Sequence, residues 1–283
     1  MNKKHFAMGS FGQSGVCLLL VCVLLSSCSL QMGRDDPPSQ EETESPAGSG
    51  QPADSTRGNG TSPSKKPLPS EDPDLPYRKI LESMTPDEKI GQLLVVGCRN
   101  NEEASQMIRD HKVGGVVLFR DNFKSFQQLY QLTRQWKGYN EGNPLPLWIA
   151  MDEEGGTVTR LPEGKTPIPG AREVGRHEDT QLTKATGKVI GKELAAAGAN
   201  LDFAPVVDVV DNSENKFMLD RSYGRTPEKV SDQALAFLEG LKETGVQGCA
   251  KHFPGHGGTV VDSHKDMPVI PASLEEWKQK DAV

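Results

Sequence analysis

Leu147-Trp-Ile-Ala-Met-Asp-Glu-Glu-Gly-Gly156 runs five apolar residues straight into three acids and a glycine pair. An unbroken apolar run of this length, closed by charge and glycine, reads as a short strand buried on both faces. Strands of that kind belong to parallel sheets covered by helices, and ligands sit at their carboxyl ends. Asp152 stands at such an end. The same signature recurs on either side. Residues 93–97 and 114–119 upstream, and 200–207 and 246–250 downstream, read as four further strands. Residues 101–112, 123–139, 179–197 and 227–244 read as helices, the second of them with apolar positions at helical spacing. Another helix starts at Thr85-Pro-Asp-Glu88, with Thr as N-cap, Pro at the first position and acids in the first turn. Strand and helix in alternation imply parallel βαβ units. No internal repeat of fixed period is visible.

Polar residues gather where such a fold places a site. Asp152, Glu153 and Glu154 follow the third strand, and Arg160 comes shortly after. The fourth strand ends in 202–208, with Pro205 and two acids, and leads to Asp220-Arg-Ser-Tyr-Gly224. Lys251 and His252 follow the fifth. Singly, each charge is more often a solvated loop residue; together at strand ends they suit a small polar ligand. The segment Lys251-His-Phe-Pro-Gly-His-Gly-Gly-Thr-Val-Val-Asp-Ser-His264 adds three histidines, a carboxylate and three glycines. One serine separates Asp262 from His264. That spacing lets the carboxylate accept a hydrogen bond from one imidazole nitrogen while the other faces a substrate, as an acid/base near neutral pH requires. Gly255, Gly257 and Gly258 suit a loop that swings His264 in and out. Two other readings stand beside this one: a surface loop with incidental histidines, and a zinc site built from His252, His256, Asp262 and His264.

The amino end speaks to compartment. Lys3 and Lys4 form a basic start, residues 16–25 are an unbroken apolar run, and Leu25-Ser-Ser-Cys28 follows. Ten apolar residues are too few to span a bilayer and suit a signal peptide over 1–27. The tetrapeptide resembles a bacterial lipobox, which makes Cys28 the lipidated first residue of an extracytoplasmic, membrane-anchored protein. Residues 29–76 hold nine prolines, eight serines and five glycines with no aromatic side chain, so 28–76 reads as a disordered tether. Residues 77–283 carry −4 of the total charge of −7 and show no basic stripe, which speaks against a nucleic-acid partner. Cys98 and Cys249 are the two cysteines of this body; both lie in apolar runs and read as buried thiols rather than a bridge.

Asp152-x-Glu-Gly-Gly-x-Val-x-Arg160, Asp220-Arg-Ser-Tyr-Gly224, Lys251-His-Phe-Pro-Gly-His-Gly257 and Asp262-Ser-His264, in this order, resemble the family 3 glycoside hydrolases. The Asp-Ser-His loop resembles the β-N-acetylglucosaminidase branch. The resemblance runs from about residue 77 onward. It implies a (β/α)8 barrel of the TIM type, present only in part as about five of eight strands. It further implies that Asp152, Arg160 and Arg221 hold a terminal sugar, that Lys251 and His252 hold its hydroxyls, and that His264 is general acid/base, oriented by Asp262. The substrates so implied carry terminal β-linked N-acetylglucosamine, as peptidoglycan fragments do; the reaction is retaining and needs no cofactor or metal. The family's nucleophile is an aspartate at the end of the seventh strand, and no residue here matches it. Beyond Asp266 the carboxylates are Glu275, Glu276 and Asp281, in a polar stretch of helical character. Gly258 stands where the family often has aspartate. The expectation is therefore a hexosaminidase lacking its nucleophile region, a fragment or a truncated form; the alternative is a lipid-anchored sugar-binding protein without turnover.

Overall fold

The computed structural model describes residues 75–282. The signal segment 1–27, Cys28 and the tether as far as residue 74 lie outside the described residues. The described residues fall into two units, 75–82 in one and 83–282 in the other. Within the first lies nearly all of α1 (Leu75–Ser83), a nine-residue helix that begins inside the stretch read as tether.

The second unit opens with α2 (Pro86–Gln92). Its start is as expected: Thr85 Oγ1 accepts from the Glu88 N–H at 3.2 Å, and the Glu88 carboxylate accepts from the Thr85 N–H at 2.8 Å. This reciprocal box satisfies two donors that a helix leaves open. Five parallel strands follow: β1 (Val95–Gly97), β2 (Gly115–Val117), β3 (Trp148–Met151), β4 (Leu201–Asp202) and β5 (Gln247–Gly248), lying side by side in chain order. Val96 pairs with Val116 and Val116 with Ile149; Met151 pairs with Asp202 and Asp202 with Gly248. This in-order parallel ladder is the α/β architecture of a TIM-type barrel over five strands. The register aligns the ends of β3, β4 and β5, so that the polar segments after each emerge together.

The connecting helices are α3 (Asn101–Arg109), α4 (Phe126–Tyr139), α5 (Ala171–Arg176), α6 (Thr180–Ala196), α7 (Lys216–Leu219), α8 (Pro227–Lys242) and α9 (Leu274–Lys280). The core lies between sheet and helices: Val116, Ile149 and Met151 from the strands meet Leu129 and Trp136 of α4, Ile190 and Leu194 of α6, and Phe237 and Leu241 of α8, all essentially without solvent contact. Trp136 also donates its indole N–H to Asn101 at 2.8 Å, which fixes α4 against α3 and pairs the indole's one donor.

Several expected boundaries move. α4 starts at Phe126 because Ser125 caps it, its hydroxyl accepting from the Gln128 N–H at 3.2 Å, while Phe123 is buried ahead of the helix. The fourth strand, expected over 200–207, is a ladder of two residues. Pro205 has no N–H to give, and its carbonyl instead accepts from the Lys251 N–H at 3.0 Å; pairing resumes one residue later at Val206 and Lys251. Cys98 and Cys249 are both free, as expected, although Cys249 is only half-buried. Burial pushes the Cys98 thiol up to about 11. Among the described residues, no helix is long and apolar enough to cross a membrane.

Candidate active site

Three successive acids after β3 do three different jobs. Asp152 accepts from the Lys251 ammonium at 2.7 Å and lies 3.8 Å from the Arg160 guanidinium. Glu153 turns into the loop, where its carboxylate accepts the backbone N–H groups of Arg160 at 2.7 Å and Leu161 at 2.9 Å. Glu154 is buried and receives both arms of Arg221, at 2.8 Å each, together with Lys251 at 2.6 Å. Gly155 and Gly156 make this possible. Their φ angles are +80° and +57°, and a Cβ at Gly155 would stand 2.8 Å from the Ile168 side chain and 2.9 Å from the Pro169 carbonyl.

Lys251 thus bridges two carboxylates, and the floor of the site reads Arg160, Asp152, Lys251, Glu154, Arg221. Burial alone would raise the Glu154 carboxyl; Arg221 and Lys251 outweigh it and hold the group below its usual range. Arg221 is nearly buried, lies over the Phe217 ring at 4.9 Å, and brings one nitrogen to within 3.4 Å of His252 Nε2. Beneath this floor, Asp202 is fully buried and forms no ion pair among the described residues. Burial pushes its carboxyl well above the ordinary aspartate range, and it accepts the Glu153 N–H at 3.0 Å.

His252 is oriented from behind. Its Nδ1 lies 2.7 Å from Asp208, a carboxylate with no exposed side-chain surface that also accepts the backbone N–H groups of His252, at 3.2 Å, and of His256. With three donors gathered on Asp208, Nδ1 donates to it and Nε2 is turned toward the floor. The Lys251–His252 peptide bond is cis.

The Asp262–His264 pair exists as a hydrogen-bonded unit. Nδ1 of His264 lies 2.8 Å from Asp262 Oδ1, and the His264 backbone N–H donates to the same oxygen at 3.0 Å. These two contacts, backbone first, hold the Asp262 carboxyl below its usual range. The imidazole is 76% exposed, so Nε2 is open to an incoming ligand. Its ring meets the edge of Phe217 at 5.6 Å between centroids. Phe217 therefore sits between the Asp262–His264 pair and Arg221, joining the loop to the floor.

All seven residues expected at the site occur in this neighbourhood, though Arg221 is occupied by Glu154 rather than free. Sequence reading gave no role to Glu154, Asp208 or Phe217. Glu154 and Asp208 carried one signal, their place among the acids at strand ends; Phe217, in a polar loop, carried none. His256 is buried between Phe217 and His252, at 5.8 and 5.7 Å between ring centroids, with no hydrogen bond on either ring nitrogen. Among the described residues no three His, Cys, Asp or Glu side chains converge to hold a metal ion. Of the four residues of the zinc reading, His264 and Asp262 pair with each other while His252 pairs with Asp208 instead. Glu275 and Glu276 lie on α9, where Glu276 closes a capping box with Ser273; Asp281 caps the other end.

A partial TIM-type barrel thus carries paired carboxylates, bases and a histidine–aspartate unit at its strand ends, the arrangement of an α/β protein with a polar site at one face of the sheet. The chain belongs to glycosyl hydrolase family 3: the model of that family's N-terminal domain matches residues 85–283. A Neisseria meningitidis serogroup C protein named beta-hexosaminidase is 39% identical over 194 residues, covering 66% of this chain and 53% of its own length. Among solved structures, a family 3 beta-N-acetylglucosaminidase from Paenibacillus sp. str. FPU-7 superposes with a TM-score of 0.67 at 35% identity, over 70% of this chain and 39% of that one. NagZ from Neisseria gonorrhoeae, in complex with N-trifluoroacetyl-D-glucosamine, superposes with a TM-score of 0.60 at 36% identity, over 66% of this chain and 57% of that one. The chain spans about half the length of the curated relatives it matches, 53% in the first case given.

Proposed function

We propose that this chain is the amino-terminal, sugar-binding part of a β-N-acetylhexosaminidase acting on terminal β-linked N-acetylglucosamine in peptidoglycan-derived saccharides. The observation that carries the reading is the floor of Asp152, Lys251, Glu154 and Arg221 with the Asp262–His264 pair joined to it through Phe217. The names of the relatives and the glucosamine derivative bound to the gonococcal structure support it.

In this reading Asp152 and Arg160 hold hydroxyls of the terminal sugar, with Lys251, Arg221 and His252 completing the ring of donors and acceptors. Carboxylates accept from sugar hydroxyls while cations donate to them, and each is already fixed in place, so little ordering entropy is lost on binding. His264 gives its Nε2 proton to the glycosidic oxygen as the bond breaks and recovers it from water in the second step. Asp262 holds the tautomer and stabilises the imidazolium. The reaction retains configuration, with the nucleophile supplied by the part of the protein that the relatives have beyond this match. Lipidation at Cys28 holds the protein on the outer face of the cell membrane.

Calorimetric titration with N-acetylglucosamine tests the floor. Asp152→Asn and Arg160→Gln are expected to weaken binding about tenfold or more, since each removes a charge-assisted hydrogen bond. His264→Ala is expected to leave it nearly unchanged. Binding unaltered in both floor variants, with unaltered unfolding temperature, overturns the assignment of the sugar site.

A further inference from the structure

Next to the site, and separated from it by residues 220–224, lies a cavity of about 390 Å³ lined by Arg172, Arg176, Arg225 and Lys229, with Asp220 and Tyr223. Four bases and one acid face the same space in a chain whose net charge is −7. Two of the four, Arg172 and Arg225, form no ion pair among the described residues, while the other two each meet one carboxylate. Arg172, half-buried on α5, donates to two carbonyls, Leu219 at 2.8 Å and Val210 at 3.2 Å, which orient the guanidinium without cancelling its charge. Arg176 and Lys229 each have one exposed carboxylate, Glu173 and Glu178.

The repulsion is felt. Burial, then Arg225 and Arg176, disfavour the charged form of Arg172, and Asp220 offsets this only in part. Like charges brought together around a concavity, one of them fixed by backbone carbonyls, form a preorganised receptor for an anion. The volume falls in the range of small-ligand pockets and takes a phosphate group with a short organic substituent.

We propose that this cavity is a phosphate-binding site, distinct from the sugar floor, with Arg172, Arg176, Arg225 and Lys229 as its ligands. A guanidinium fork matches the oxygen geometry of a phosphate dianion; Arg225 offers its fork whole, Arg172 and Arg176 offer the N–H groups their partners leave, and the Lys229 ammonium adds a point charge. The assignment does not depend on the glycosidase reading. It does have a bearing on it: Tyr223 lines the cavity, and its burial, reinforced by Asp202 and Glu154, raises its phenol. The cavity and the floor are thus two sides of one segment, from which Arg221 reaches Glu154.

The test is titration of the full chain with inorganic phosphate and, separately, with glycerol 3-phosphate, at constant ionic strength balanced by chloride. Wild-type protein is expected to bind phosphate saturably. Arg225→Gln and Arg176→Gln, neither of which holds a backbone group, are expected to weaken it about tenfold each, and Arg225→Lys, which keeps the charge but not the fork, to restore only part of the loss. N-acetylglucosamine binding should be unchanged in all three. Binding of both probes assigns the site to phosphomonoesters; binding of inorganic phosphate alone assigns it to the free ion. Phosphate binding no stronger than that of chloride, or equal in wild type and both glutamine variants, overturns the proposal.

Discussion

Glu154 sits where burial and charge pull in opposite directions, and its replacement separates the two. Glu154→Ala leaves Arg221 without its bidentate partner and Lys251 with Asp152 alone; stranding a buried charge in this way costs about 3–5 kcal/mol. Denaturant unfolding should read that loss. Glu154→Gln keeps the shape and removes the charge, so it isolates the proton linkage. The folded-state carboxyl lies below its ordinary value of 4.5. Its stabilising contribution is therefore complete above about pH 4.5 and disappears as pH falls through the lower folded value. Wild-type stability should fall in that window by more than that of Glu154→Gln, and the two curves should converge below it. Parallel curves would mean that Arg221 and Lys251 do not set the carboxylate's state. The same logic explains why sequence reading missed this residue. Glu154 lies two residues from Asp152 in the chain, but what distinguishes them is a partner 67 positions away. Asp208 is likewise defined by His252, 44 positions on. Chain spacing shows neither pairing.

The 252–264 loop shows what an element can and cannot reveal in advance. The Asp262–His264 contact is local, two residues apart, and the spacing alone predicted it. The docking of that pair against Phe217 depends on α7, a four-residue helix too short to display any periodicity, as is six-residue α5. The five strands were legible because apolar runs need no register to be recognised, whereas their ends depend on which neighbour donates: Pro205 cut the fourth strand to two residues. Phe217 holds the loop by ring contacts to His256 and His264 and a cation–π contact to Arg221. Phe217→Ala should therefore speed amide hydrogen exchange over 259–266 while leaving β3 and α4 as protected as before. Unchanged exchange in the loop would show that the Asp262–His264 pair holds its place without Phe217.

At the scale of the whole molecule, the sheet brings three strand ends into line, and the register of Met151, Asp202 and Gly248 is what lets residues from 152 to 264 meet. The amino-terminal reading makes a separate claim about where this assembly works. Cys28→Ser should move the protein from the membrane to the soluble fraction or leave its precursor uncleaved; a mature-length variant still bound to membrane contradicts the lipid anchor. The central claim is the division of labour between a sugar-holding floor and an acid/base on the loop. The most direct measurement compares wild type and His264→Ala, each joined to the carboxyl-terminal part that the relatives carry. Two substrates are needed, a natural N-acetylglucosamine disaccharide and a nitrophenyl N-acetyl-β-glucosaminide. Removing a general acid/base costs about 10²–10⁴-fold where the leaving group needs a proton, and far less in glycosylation where it does not. The account predicts a large fall in kcat/KM for the disaccharide and a small one for the nitrophenyl glycoside. Equal falls on both would contradict it and make His264 a residue that positions the sugar.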